Sequence, residues 1–529
     1  MRASVALAIA LACAACGSRG GVKSPGRATP VLFASIPVDT PYLIAGFEPI
    51  PFEAFATMWR AVEPMFGETL EPLLRDGGAS VEDRVIEAIV RELDGKWSVA
   101  GLESLGLSAR PRFALYGLGY QPTVLRVEIK DVATVLATIG RIATRADVKL
   151  PPTENHDGRS YWRIPTGDRD LVVALLDQQL IAAYGARSDL DRSLSLILGS
   201  KKPERSMAED TVLADVMKRH RFDPYAIGII DTKRLSTAFL AHRGITVTPA
   251  CSSEIDRMAA RVPRFVGAYN IAKARHGMVM AVELAPELVA KLGALKVSVP
   301  GLSAALAKRP FATFGGGIDL PAAQDVGLAV GGAVEQLGAA CGWTKLREAG
   351  DGFAAQMRRA VPAPFEVIRG GFISMITMSH EEPIPLTLEG YGVISVTSTQ
   401  PLLDLMAAIE VTAKLGILGD GAWHAFGDKL PLKMPWELSA AIGKRSLAIA
   451  AGTRGKDLAM PALDAPASDK SPFLISRYDY GRWLELKSRR AVSLEADMQR
   501  SLARVFGDVE MILDVDPAGL RFDFNYDLK

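Results

Sequence analysis

The chain has 529 residues, with 61 Lys and Arg against 60 Asp and Glu, so it is close to neutral. That balance leaves no broad basic surface for nucleic acid. Hydrophobic residues make up 49% and charged residues 23%, the composition of a globular protein long enough for two or more cores.

Chain order begins with an export signal. Arg2 supplies the positive region, Val5 to Ala12 the apolar region, and Ala14 and Ala15 precede Cys16. The apolar run is too short for a stable membrane span, and no later stretch is apolar enough to add one. A small-small-Cys ending is the bacterial lipobox pattern. It predicts cleavage before Cys16, lipidation of that cysteine and loss of Cys13 with residues 1–15. Cys13 departs from the pattern, because Leu is usual three positions before the cut. Removing Arg2 brings the mature chain to zero net charge. Gly17, where an Asp would signal inner-membrane retention, favours the periplasmic face of the outer membrane. Residues 16–30 then form a Gly-, Ser- and Pro-rich tether carrying Arg19, Lys23 and Arg27, with a reach on the order of 20 Å.

The next stretch, SIPVDTPYLIAGFEPIP at 35–51, holds a P-x-D-T-P motif in which Asp39 suits a turn or cap and Pro41 fixes the backbone. Asp39 and Tyr42 as recognition residues are the sharper alternative. The segment resembles the opening of a family of bacterial envelope lipoproteins of unknown function. The run Cys251, Ser252, Ser253 and Glu254 through Pro263 and Arg264 is similar to another feature of that family. The resemblance implies repeated strand and helix units, and no catalytic residue. Just beyond the motif, Phe55, Met58, Trp59 and Val62 would share one helical stripe, a core pattern by default.

Further along, three patterns recur in the same order. PRFALYGLGYQPTVLRVEIKDVATVLATI at 111–139 reads strand, turn, strand, then a helix after Asp131; 371–409 repeats it with a longer insertion. DLVVALLDQQLIAAYG at 170–185 is matched by WELSAAIGKRSLAIAAG at 436–452. PYAIGIIDTKRL at 224–235 is matched by PFLISRYDYGRWL, each with an Asp between an apolar strand and a helix. A partial echo lies at 264–300. Tight turns between strands require antiparallel pairing. The expected fold is therefore α+β, two diverged repeats of antiparallel sheet with helices packed on one face, the halves being 31–255 and 256–529.

Between the halves, FGGGIDLPAAQD places glycines 315–317 after a strand, where a bulge or turn is expected rather than a phosphate loop. The stretch 461–471 reads as an exposed loop. Six histidines, His156, His220, His242, His276, His380 and His424, lack any H-E-x-x-H spacing. SHEEP at 379–383 would need His380, Glu381 and Glu382 to converge with His424 to hold a metal, and a solvated hairpin tip is the simpler reading. No nucleophile elbow, Walker loop or dinucleotide fingerprint occurs, so no cofactor, metal or catalytic residue is assigned. Two cysteines, Cys251 and Cys341, survive processing in an oxidising compartment, either as a disulfide or as two buried thiols.

These readings predict an outer-membrane lipoprotein, held to the membrane by its N-terminal lipid, that acts by binding an envelope protein or lipid partner as carrier or scaffold. A periplasmic hydrolase with a dispersed site and a purely structural lipoprotein are the alternatives. A Ser or carboxylate beside a histidine in a deep cleft would favour the hydrolase; an open apolar groove would favour binding.

Overall fold

A computed structural model describes residues 31–49, 51, 81–96, 98–272, 275–359, 366–378, 387–409, 413–430, 434–463, 465, 470–488 and 494–529. Cys16, the 16–30 tether, the Phe55–Val62 stripe and His380, Glu381 and Glu382 lie outside these residues. Among the described residues, no helix is long and apolar enough to cross a membrane.

The strands in chain order begin with β1 (Tyr42–Ala45), β2 (Phe113–Gly117), β3 (Thr123–Glu128), β4 (Glu154–His156) and β5 (Arg159–Pro165). Then come β6 (Arg169–Leu176), β7 (Gln179–Ala186), β8 (Ala226–Asp231), β9 (Arg264–Ala272) and β10 (Arg275–Glu283). The second series is β11 (Ala312–Gly317), β12 (Ile368–Met378), β13 (Leu388–Val396), β14 (His424–Ala425) and β15 (Leu438–Ile442). It closes with β16 (Ser446–Ala451), β17 (Leu474–Asp479), β18 (Phe506–Asp516) and β19 (Gly519–Leu528).

Local chemistry explains these elements. Asp177 and Gln178 both take positive φ, 53° and 57°, the conformation a two-residue hairpin needs between right-twisted strands. Four aspartates end strands or loops and cap helices by accepting a backbone N–H: Asp131 from Thr134, Asp231 from Arg234, Asp319 from Ala322 and Asp479 from Arg482. Each satisfies a donor that the first helical turn leaves unpaired.

All ladders are antiparallel and join into one sheet of nineteen strands. From one edge, β4 is followed by β5, β6, β7, β3, β2, β1, β8, β9 and β10. The second series runs β14, β15, β16, β13, β12, β11, β17, β18, β19. Apart from the extra β4, the two orders are the same, which is the duplicated α+β architecture. The hairpin β6–β7 closes at Leu176 and Gln179, and its counterpart closes at Gly443 and Ser446. Stepping outward from those turns, Leu180 faces Val127 and Val127 faces Phe113, while Leu447 faces Ile394 and Ile394 faces Gly371. The halves therefore share register as well as order.

β10 and β19 join them. Val279, central in β10, faces Asp523, the fifth residue of β19, while Arg275 faces Asp527 and Glu283 faces Gly519. This is the isologous pairing of a twofold axis, here within one chain. The pairing corrects the boundary expected at residue 255: β9 and β10 complete the first half, which ends at Glu283. The glycines 315–317 also differ from expectation. They are residues of β11, paired to β12, and Asp319 then opens the helix Leu320–Ala340.

Helices cover one face. In the first half Leu190, Leu194, Leu213 and Val216 pack on Leu43, Tyr116, Val172 and Ile181; in the second, Leu302, Ala459 and Leu463 pack on Phe372, Val393, Ala448 and Ile475. Arg126 is buried in the first-half layer. It donates to Tyr116 Oη at 3.0 Å, Gln179 Oε1 at 3.1 Å and the carbonyl of Ile197 at 2.7 Å. That carbonyl ends the helix Arg187–Leu198, where the dipole favours a cation. Cys251 and Cys341 are disulfide-bonded, with Sγ atoms 2.05 Å apart. The bond ties the helix Pro249–Arg261 to the end of Leu320–Ala340, so it links the two halves.

Candidate functional site

Successive strand residues point to opposite faces, so the residues between the helix-packed ones form a second face, turned away from those helices. In the first half part of that face is filled by its own side chains, while Ile44, Ile230 and Phe265 on it remain exposed. Phe113, Leu125 and Val127 are buried there, packed with Leu115, Leu180, Ala182, Tyr225, Ala226 and Ile271.

In the second half the corresponding surface is a concavity of about 760 Å³. It crosses β17, β11, β12, β13, β16 and β15, and its walls include Phe314, Ile373, Ile394, Leu447, Ile449 and Leu474. Ile373 is 60% exposed and Leu474 49%, against 9% for Phe113 and 3% for Leu125 in the first half. These are large apolar side chains held open to solvent, the kind of contiguous patch that marks an interaction site.

The shared register explains the difference. On the ladders, Ala182 faces Leu125, Leu125 faces Leu115 and Leu115 faces Ile44. The matching row is Ile449, Gly392, Ile373 and Phe314. Glycine therefore stands at 392 where the first half has Leu125, and at 371 where it has Phe113. Two side chains that fill the first-half surface are missing from the second.

The glycines have unlike causes. A Cβ on Gly371 would lie 2.6 Å from the Val393 carbonyl oxygen, on Gly390 2.7 Å from that of Ser374, and on Gly316 2.1 Å from that of Phe473. Backbone approach excludes a side chain at these three positions. At Gly392 the nearest atoms, Ile373 Cγ1 and the Phe372 carbonyl oxygen, are both 3.4 Å away. A side chain fits there, so this glycine leaves room for the cavity rather than serving the backbone.

Hydroxyls near the site point into the helix layer. Thr313 Oγ1 donates to Ser374 Oγ at 3.2 Å in a buried bond, and burial pushes the Tyr391 hydroxyl above its ordinary range. The wall itself is hydrocarbon.

Among the described residues, the histidines do not converge. His220 Nε2 donates to Glu283 at 3.0 Å, His276 Nδ1 lies 2.9 Å from Tyr269 Oη, and His424 Nε2 lies 2.8 Å from Asp420. Burial holds His276 below the usual imidazole range, and its ring stacks on Tyr526 across the β10–β19 seam. His242 lies against Tyr120. Among the described residues, no three His, Cys, Asp or Glu side chains group to hold a metal.

One serine does meet a histidine. Ser195 Oγ lies 2.8 Å from His156 Nε2 and donates to Asp157 Oδ2 at 3.1 Å. Asp157 also approaches the same Nε2, at 3.3 Å. In a hydrolytic triad the carboxylate must hold the opposite ring nitrogen so that Nε2 is free to take the serine proton. Here both partners crowd one nitrogen. Ser200 Oγ adds a further bond to Asp157, and these hydroxyls hold that exposed carboxyl below its ordinary range. The cluster fastens the β4–β5 turn to the helix Arg187–Leu198.

The P-x-D-T-P segment is structural at its threonine. Thr40 Oγ1 donates to the Gly117 carbonyl at 2.7 Å, and Tyr42 Oη pairs with Thr123 Oγ1 at 2.6 Å. Arg234 Nη1 donates to the Val38 carbonyl at 2.7 Å. Asp39 is exposed.

The groove residues escaped the sequence reading, although a signal existed: the alternating glycines at 390 and 392 and the pairs at 315–316 and 370–371 interrupt otherwise apolar strands. No protein-family model, curated protein or solved structure matches the chain.

Proposed function

We propose that the protein is an envelope lipoprotein, tethered through Cys16 to the periplasmic face of the outer membrane, that carries or holds an apolar ligand on the open sheet face of its second half. The observation that carries this reading is the concavity of about 760 Å³ walled by hydrocarbon. Its volume falls within the range of sites that enclose one small ligand. Supporting the address are the short apolar N-terminal run and its Ala-Ala-Cys ending.

Apolar area removed from water at such a wall stabilises a complex by about 25 cal/mol per Å² before the cost of association. An open apolar groove also favours binding over hydrolysis on the chemical grounds set out above.

Mass spectrometry of the chain recovered from cell membranes tests both parts at once. Under denaturing conditions the mature chain should begin at an acylated Cys16. Under native conditions it should carry additional mass that is lost on denaturation. A chain that starts elsewhere, or one with no releasable apolar ligand and no uptake of one on incubation, would contradict the proposal.

A further inference from the structure

We infer that the β10–β19 joint between the halves is acid-sensitive: His276, buried in that joint, must stay neutral for the ladder to remain closed, so mild acid loosens it. This goes beyond the apolar-ligand reading and does not rest on it.

Placement is the first ground. His276 is the second residue of β10 and faces Tyr526 in the ladder that runs from Arg275 and Asp527 to Glu283 and Gly519. It is 2% exposed, and its ring lies 5.6 Å from that of Tyr526 with 16° between the planes. Parting β10 from β19 strips away that cover, so opening the joint and hydrating the imidazole are one event.

Chemistry is the second. Nδ1 lies 2.9 Å from Tyr269 Oη, which lies 2.7 Å from Tyr526 Oη. Among the described residues, the titratable side chains facing His276 are therefore two phenols, one from β9 and one from β19. On β9, Ile271 faces His276, and the carboxylate beyond it, Asp223, accepts the Ile271 N–H. On β18, Val509 faces Tyr526, and the Phe506 ring lies against Tyr526. Arg275 and Asp527 are the next residues along their strands and point to the opposite face, where Arg275 pairs with Glu510. An imidazolium at 276 thus meets no counter-charge. Stacking on Tyr526 recovers only part of its desolvation cost, and burial holds the ring below its ordinary 6.5.

The other end of the ladder supplies the contrast. There Glu283 meets Arg264, Arg219 and His220, and its carboxylate, held at about 2, keeps its charge until the pH falls below 4.5. The two ends therefore respond in separate windows. An open joint returns His276 to 6.5, so the open state binds a proton that the closed state refuses. The contribution is complete above pH 6.5 and declines below it. The Cys251–Cys341 bond keeps the parted halves tethered, so the joint can close again.

Amide hydrogen exchange of the full mature chain at pH 7.5 and 5.0, corrected for the intrinsic rate at each pH, tests this. Protection in β10 and β19 should fall at least fivefold at the lower pH, within the limit of about thirtyfold that one such proton allows. Amides of the β2–β3 ladder, inside the first half, should hold. His276→Phe keeps an aromatic ring against Tyr526 and cannot titrate, so its joint should be equally protected at both pH values. If that variant does not fold, the imidazole nitrogen shifts of the wild type serve, and His276 should be predominantly neutral at pH 6.0. Equal protection of the wild-type joint at both pH values, the same fall in His276→Phe, or a folded chain with His276 already protonated at pH 6.5 would overturn the inference. None of these outcomes bears on the apolar site.

Discussion

Replacing Cys251 and Cys341 together by serine is expected to cost about 2 to 5 kcal/mol of stability. The bond closes a loop with a sequence separation of 90 residues, for which the chain-entropy argument gives about 4 to 5 kcal/mol as an upper figure. Its position adds a specific consequence. Besides β10–β19 pairing, this bond is a covalent tie between the first-half helix Pro249–Arg261 and the second-half helix Leu320–Ala340. Loss should therefore appear as earlier separation of the halves, read as a lower urea midpoint in the double-serine variant. Cys251 is 1% exposed and Cys341 half-buried, so dithiothreitol should reduce the native bond more slowly than that of the unfolded chain. Coincident unfolding curves for wild type and variant would show that the tie contributes nothing.

Glu283→Ala is expected to be comparably damaging, at about 3 to 5 kcal/mol, because it leaves buried His220 and part-buried Arg264 without their partner. Glu283 is 3% exposed at the end of β10. Its carboxylate accepts from Arg264 Nε at 2.7 Å, Arg219 Nη1 at 3.0 Å and His220 Nε2 at 3.0 Å. Burial by itself would raise this carboxyl. The His220 hydrogen bond and the charges of Arg264 and Arg219 outweigh it and hold the group at about 2, against 4.5 when unfolded. A pKa lowered by folding favours the native state above pH 4.5, and that contribution fades as pH falls toward 2. The difference corresponds to about 3 kcal/mol. Wild type should thus lose stability between pH 4.5 and 2 more steeply than the alanine variant, measured by urea unfolding across that range. Parallel acid limbs would contradict the assigned role.

The parts legible in sequence were those governed by neighbours along the chain. The Asp177–Gln178 turn, the Asp131 cap and the matched Asp231 and Asp479 were all visible, because turn and cap chemistry acts over two or three residues. From such units the duplicated antiparallel α+β fold followed. The order of strands did not follow, since β1 lies between β2 and β8, and β11 between β12 and β17, through contacts distant in sequence. The boundary at 255 failed for the same reason: only pairing with β8 reveals that β9 and β10 belong to the first half. Glycines 315–317 read as a bulge or turn because glycine usually breaks a strand. In β11 they permit close backbone approach, which depends on Phe473 and Phe372 more than a hundred and fifty or fifty residues away. The groove was hidden one level deeper still. It emerges only when Gly371 and Gly392 are set against Phe113 and Leu125 in a common register, and that register is a property of the ladders.

The central claim is that the apolar concavity of the second half binds an apolar ligand, for which a fatty acid serves as probe. Photolabelling the full chain with a fatty acid bearing a mid-chain diazirine, followed by peptide mapping, tests it most directly. The account predicts label concentrated in the strands at 370–375, 388–394 and 447–451, and suppressed by excess palmitate. Label confined to the helices, or spread equally over the first-half sheet where Phe113 and Leu125 close the surface, would contradict it.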